Sequence, residues 1–206
     1  MKKVTIIREK SSVLVLFLLF FQFGCNQTAQ EKPGATEISA PSHTEKIARG
    51  KYLVTFGSCN ECHTPKIMTP QGPIDDTTKP LSGHPSGSPI PPFDKNVLRP
   101  GPWILFAADL TAAIGPFGIT FGANLTPDST TGIGAWTEDV FIQTLRTGKH
   151  LGQAGGRKIL PPMPWNFVNK ATDEDLKSIF AYLQALPPIQ NKVPAPITPE
   201  DAAKLK

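Results

Sequence analysis

Apolar residues recur at helical spacing in three stretches of this chain, each bracketed by start and stop signals. Between Glu45 and Phe56, Ile47, Gly50, Tyr52, Leu53 and Val54 make a face suited to burial, and Gly57 is a natural stop. From Asp173 to about Leu186, a stripe of Leu176, Ile179, Phe180, Leu183 and Leu186 follows Thr172, a candidate N-cap with Asp175 three residues on. Asp173 and Glu174 sit at the positive end of that helix dipole, and Pro187-Pro188 ends the helix. A third helix is expected over Thr137 to Thr147, with Thr137 as N-cap, Val140, Phe141, Thr144 and Leu145 inward, and Gly148 closing it. Gly50 costs about 1 kcal/mol against alanine inside a helix, which predicts a close crossing, against Phe180 or Tyr182 of the last helix.

The pattern changes at both ends. Met1-Lys2-Lys3 with Arg8 and Lys10 precedes an apolar run from Val13 to Phe23, about half of what a membrane-spanning helix needs. Residues 1–24 therefore read as an export signal. The run ends at Phe23-Gly24-Cys25-Asn26-Gln27, which resembles a bacterial lipobox, although Gln22 stands where an aliphatic residue is usual. That resemblance implies lipidation of Cys25 and anchoring at a membrane surface. Residues 25–43 are polar and read as a flexible tether. Residues 44–188 would form one domain, and 189–206, with Pro194, Pro196 and Pro199, an extended tail.

Charge says little about partners. The formal charge is +4, of which Lys2, Lys3, Arg8 and Lys10 against Glu9 carry +3, leaving the exported part near +1. No Lys/Arg cluster argues for nucleic acid.

The chemistry lies in Cys59-Asn60-Glu61-Cys62-His63. C-x-x-C-H is a c-type haem attachment pattern: two thiols reach the two vinyl groups of one porphyrin edge, and the adjacent histidine is carried under the iron. A zinc knuckle would need a second ligand pair, and a redox dithiol would sit in a βαβ pattern; the chain shows neither. One such motif predicts one haem c. For the opposite axial position Met163, in Leu160-Pro161-Pro162-Met163-Pro164-Trp165, is favoured, because the prolines fix the backbone that presents its thioether. Met68 lies only five residues past His63 and is a poor candidate. His43, His84 and His150 are alternatives, each in a polar or Gly-rich setting that suggests the surface.

Taken in order, these residues resemble the class I cytochromes c. The likeness extends over about Glu45 to Pro188, and includes Asn124-Leu125-Thr126-Pro127-Asp128, Thr131-Gly132-Ile133-Gly134, Trp136 and Arg146-Thr147-Gly148. The resemblance implies a mostly α cytochrome c fold, with three or more helices around one covalent haem. It implies Cys59 and Cys62 as attachment points, and His63 and Met163 as iron ligands. No catalytic residue is expected: with both axial positions filled, the haem offers only Fe(II)/Fe(III) cycling. The implied role is single-electron transfer between redox partner proteins in the periplasm or at the cell surface. Two alternatives stand beside it: a haem subunit of a periplasmic dehydrogenase or oxidase complex, and a sensor or enzyme with a displaceable Met163. The departure from a minimal cytochrome is a long, Pro/Gly-rich insertion, Thr64 to Ala123. Within it Trp103–Asp109 and Ile119–Asn124 can pair as a short hairpin through Gly115-Pro116-Phe117-Gly118. Covering a haem edge and docking a partner are both open to an insertion of this kind.

Overall fold

The computed structural model describes residues 40–101 and 103–205. The export signal, Cys25 and nearly all of the tether lie outside the described residues.

The three expected helices form, the first opening two residues earlier than the sequence reading has it. Helix α1 spans His43–Phe56, opened by a Ser42/Glu45 capping box. Further along, α3 spans Glu138–Thr147 under the Thr137 cap, and α5 spans Asp173–Gln184 under the Thr172 cap. Gly148 ends α3 with φ +64°, a left-handed conformation that glycine adopts without strain. Three short helices complete the set: α2 (Cys59–His63), α4 (Trp165–Val168) and α6 (Pro199–Ala202).

The crossing of α1 and α5 follows from Gly50. A Cβ built there would lie 1.9 Å from the Ser178 carbonyl oxygen and 2.7 Å from the Tyr182 Cβ. Only a bare backbone fits, so the glycine trades helix propensity for close approach. Of the two expected partners the contact falls on Tyr182, together with Ser178 one turn before it, rather than on Phe180. Val54, Leu81, Ile133, Phe141, Ile142, Leu145, Leu176, Phe180 and Leu183 fill the core beneath it.

The expectation of a mostly α cytochrome c fold is overturned. Helix makes up 34% of the structure and strand 13%, and the strands form two small antiparallel sheets. The insertion is responsible: its Pro/Gly-rich sequence resists helix, and it folds as strands and irregular backbone. Strands β1 (Lys66–Thr69) and β2 (Gly72–Asp75) make one hairpin, which the sequence did not announce. Strands β3 (Leu105–Phe106), β4 (Ala112–Gly115) and β5 (Gly118–Phe121) make a three-stranded sheet in that order. The expected turn at Pro116-Phe117 is present, but it joins β4 to β5, and Leu105-Phe106 pairs with Ala113-Ile114 rather than with residues 119–124. β4 is buried along its whole length, so it lies central while β3 takes the edge.

The segment read as an extended tail does more than lie on the surface. Ile197 exchanges two backbone hydrogen bonds of 2.9 Å with Ile119, and Ala202 is fully buried against Ile114 and Ile119 as a second small core. A prolyl helix start at Pro199, capped by Thr198, turns the chain back into that core. Among the described residues no helix is long and apolar enough to cross a membrane.

Candidate functional site

Helix α1 delivers the chain to the motif through Gly57, whose N–H donates to the Leu53 carbonyl at 2.8 Å. Ser58 then turns it with φ +54°, an uncommon left-handed conformation for a residue with a Cβ. The result is one short helix carrying Cys59 and Cys62 three residues apart, on one face. Both are free thiols, and burial raises the pKa of each.

His63 ends the helix, 9% exposed, with its Nδ1 2.8 Å from the Ala123 carbonyl oxygen. A carbonyl can only accept, so Nδ1 carries the proton and Nε2 keeps its lone pair. Burial also holds the imidazole pKa below its ordinary value, against the opposing pull of the Ala123 bond. The ring is therefore neutral, oriented, and set to ligate through Nε2.

Three segments seat this helix. The Gly83 N–H donates to the His63 carbonyl at 2.7 Å, and Thr64, almost fully buried, accepts from Leu81 N–H at 2.9 Å. Gly122 presses on the other side: a Cβ there would sit 1.9 Å from the Cys62 carbonyl oxygen. Lys66, its side chain 3% exposed, donates to the Asn60 carbonyl at 3.0 Å and to Asp75 at 2.5 Å, pinning the β1–β2 hairpin to α2.

The Asn-Leu-Thr-Pro-Asp loop holds Ala123 in place. Asn124 donates to the Ile189 carbonyl at 2.8 Å and accepts from the Thr126 N–H and hydroxyl. Asp128 accepts from the backbone and side chains of Thr130 and Thr131; the Thr131 hydroxyl leads in holding its carboxyl pKa below the usual range. Asn191 donates to the Ser82 and His84 carbonyls and accepts from Ser86 N–H, stitching the far segment to the same region.

Met163 is half-buried and packs against the main core, as does Cys59. Its loop rests on the end of α3: the Trp165 ring lies within 2.5 Å of where a Gly148 Cβ would be, and Ile159 N–H donates to the Gly148 carbonyl. Arg146 ties α3 to the following turn through the Asn169 and Ala171 carbonyls and to α5 through Asp173. Met68 instead stands on the hairpin, 58% exposed. His43 is exposed at the start of α1, and His150 meets the edge of Trp136. His84 corrects the surface reading: it is 3% exposed, bonded through Nδ1 to the Thr111 hydroxyl and set against the Phe121 ring.

The donor set fits a covalent haem: two thiols on one helical turn, a neutral imidazole with Nε2 available, and a thioether on the same core. The parts invisible in the sequence are backbone and second-layer groups, namely the Ala123 carbonyl, Gly122, Lys66 and Asn191. None belongs to a motif; only the lone glycine before Ala123-Asn124 hints at close approach.

No family model matches the sequence. The chain is similar to cytochrome subunits of dehydrogenases. It is 31% identical to the fructose dehydrogenase cytochrome subunit of Gluconobacter japonicus, over 70% of this chain and 22% of the relative. It is 29% identical to the gluconate 2-dehydrogenase cytochrome c subunit of Pantoea cypripedii, over 66% of this chain and 22% of the relative. With the cytochrome c subunit of the quinone alcohol dehydrogenase of Gluconacetobacter polyoxogenes the identity is 30%, over 73% and 26%. The chain thus spans about a quarter of the length of these curated relatives.

Proposed function

We propose that this chain is an exported electron-transfer protein that carries one covalent haem c and serves as the haem subunit, or a haem-bearing module, of a membrane dehydrogenase. The observation that carries the reading is α2 with its neutral, Ala123-bonded His63, in a chain similar to dehydrogenase cytochrome subunits. That similarity favours a subunit over a freely diffusing carrier. Cys59 and Cys62 would hold the haem covalently, and His63 and Met163 would ligate its iron. Bound there, haem supplies an Fe(II)/Fe(III) couple whose potential His/Met ligation raises.

The protein's own part is positional. Gly122 and Gly83 fix the turn that carries the thiols, the Ala123 carbonyl sets the tautomer and plane of His63, and the Gly148–Trp165 contact holds the Met163 loop. The chain has no catalytic residue of its own; a dehydrogenase partner delivers the electron. Signal removal leaves Cys25 as a lipidated N-terminus, residues 25–43 link it to the domain, and the protein stays at the periplasmic or outer face of a membrane.

The test is a denaturing gel stained for haem peroxidase activity. The band persists in the wild type, disappears with Cys62→Ala, and survives Met163→Ala, which instead opens the ferrous protein to carbon monoxide. Haem that extracts into acid acetone from the intact protein overturns the assignment. Ready carbon monoxide binding by the wild type makes a sensor or enzyme the better reading.

A further inference from the structure

We infer that the Trp103–Phe106 edge is a lipid-docking surface, which lays the domain against the bilayer in a fixed orientation. Trp103, Ile104, Leu105 and Phe106 are four consecutive large apolar side chains exposed by 74%, 43%, 41% and 45%. The last two form β3, the outer strand of the three-stranded sheet. An apolar run of this kind on a sheet edge marks a surface that another body covers.

The residues around it favour lipid over a protein strand. β3 is two residues long, and Arg99-Pro100-Gly101-Pro102 leads into it, so little backbone is available for a partner strand to pair with. Lys95 and Arg99 precede the run in the chain, both exposed and without an ion-pair partner among the described residues. Two acids lie close in the chain, Asp94 capping the turn at Asn96 and Asp109 holding Thr111; both keep their charge, so the apolar run rather than net charge carries the attraction. A tryptophan beside aliphatic side chains, with cations at the margin, suits the boundary of acyl chains and anionic headgroups.

The chain preceding the structure supplies the geometry. Fourteen residues lie between Cys25 and Ala40, and the fifteen steps from one to the other reach at most about 50 Å even fully extended. A domain held that close to a bilayer needs only weak surface affinity to dock. This step rests on the lipid-anchor reading, but the docking itself is testable without the anchor.

Haem-loaded, full-length Cys25→Ser protein is mixed with vesicles of phosphatidylethanolamine and phosphatidylglycerol and sedimented. The expected result is measurable association that falls at least about tenfold on adding Trp103→Ser with Phe106→Ser. Lys95→Gln with Arg99→Gln weakens it and removes its salt dependence. Ile67→Ser with Met68→Ser, on an unrelated exposed hairpin, leaves it unchanged. An unaltered Soret spectrum and denaturation midpoint show that each variant is folded. Absence of association at millimolar lipid, or equal loss in the Ile67/Met68 variant, overturns the inference. So does protection of Trp103 by a purified dehydrogenase partner with no lipid present. Failure of the anchor reading is separate: it is seen as a mature N-terminus other than an acylated Cys25.

Discussion

Single residues decide how firmly the haem motif is held, and the decisive ones are glycines. Gly122 leaves room for the Cys62 carbonyl and thereby brings the next carbonyl, that of Ala123, onto His63. Gly122→Ala is expected to destabilise the folded protein by about 1–3 kcal/mol through overpacking. It should also shift the haem midpoint potential, because the imidazole loses its fixed partner. Gly155→Ala is the matched control: nothing lies within 4 Å of its built Cβ, so a change within about 0.5 kcal/mol is expected. Urea denaturation and potentiometric titration check both. Cys59, Cys62 and His63 are proposed from the sequence because haem attachment demands a spacing, and Met163 because prolines flank it. The Ala123 carbonyl could not be, since every residue carries one and only the fold selects it. His84 shows the converse error: a Gly-rich neighbourhood suggested exposure, while Thr111, Asp109 and Phe121 enclose it.

Elements were legible wherever caps and periodicity agreed. Thr137, Thr172 and Gly148 mark helix ends in the sequence and do so in the structure. Thr172→Ala removes the oxygen that accepts from Asp175 N–H, and a loss of about 1 kcal/mol is expected. Thr172→Ser should restore most of it. The urea midpoint should move while the slope stays constant, since the cap adds little buried area. Removing the Arg49–Asp175 pair between α1 and α5 should matter less, because half of the Arg49 side chain is in water. Apart from β5, which the expected hairpin overlaps, elements of four or five residues escaped notice. A single helical turn such as α2 or α6 gives periodicity too little length to register, and β1 and β2 expose apolar residues on both faces, so no alternation betrays them.

For the molecule as a whole, the sequence conveyed the two-helix crossing and the haem chemistry but not the balance of helix and strand. The reason is range. The pairing of Ile119 with Ile197, and the reach of Asn191 to Ser82 and His84, join positions far apart in the chain, which no local pattern encodes. The same contacts mean that the last ten residues are structural. Deleting residues 197–206 uncovers Ile119, removes two backbone hydrogen bonds and takes away buried Ala202. A loss of about 2–4 kcal/mol is expected, read as a lower melting temperature with haem content retained. An unchanged melting temperature would show that the tail packs without contributing.

That late clasp also imposes an order in time. A chain made from its N-terminus presents Cys59–His63 well before Asn191 and Ile197 exist to brace the segments around it. On the proposed export route the same order holds, so the segment with the two thiols emerges unbraced and open to haem attachment before its clasp arrives. The residues that finish the fold arrive after Cys59 and Cys62 are already presented for that chemistry.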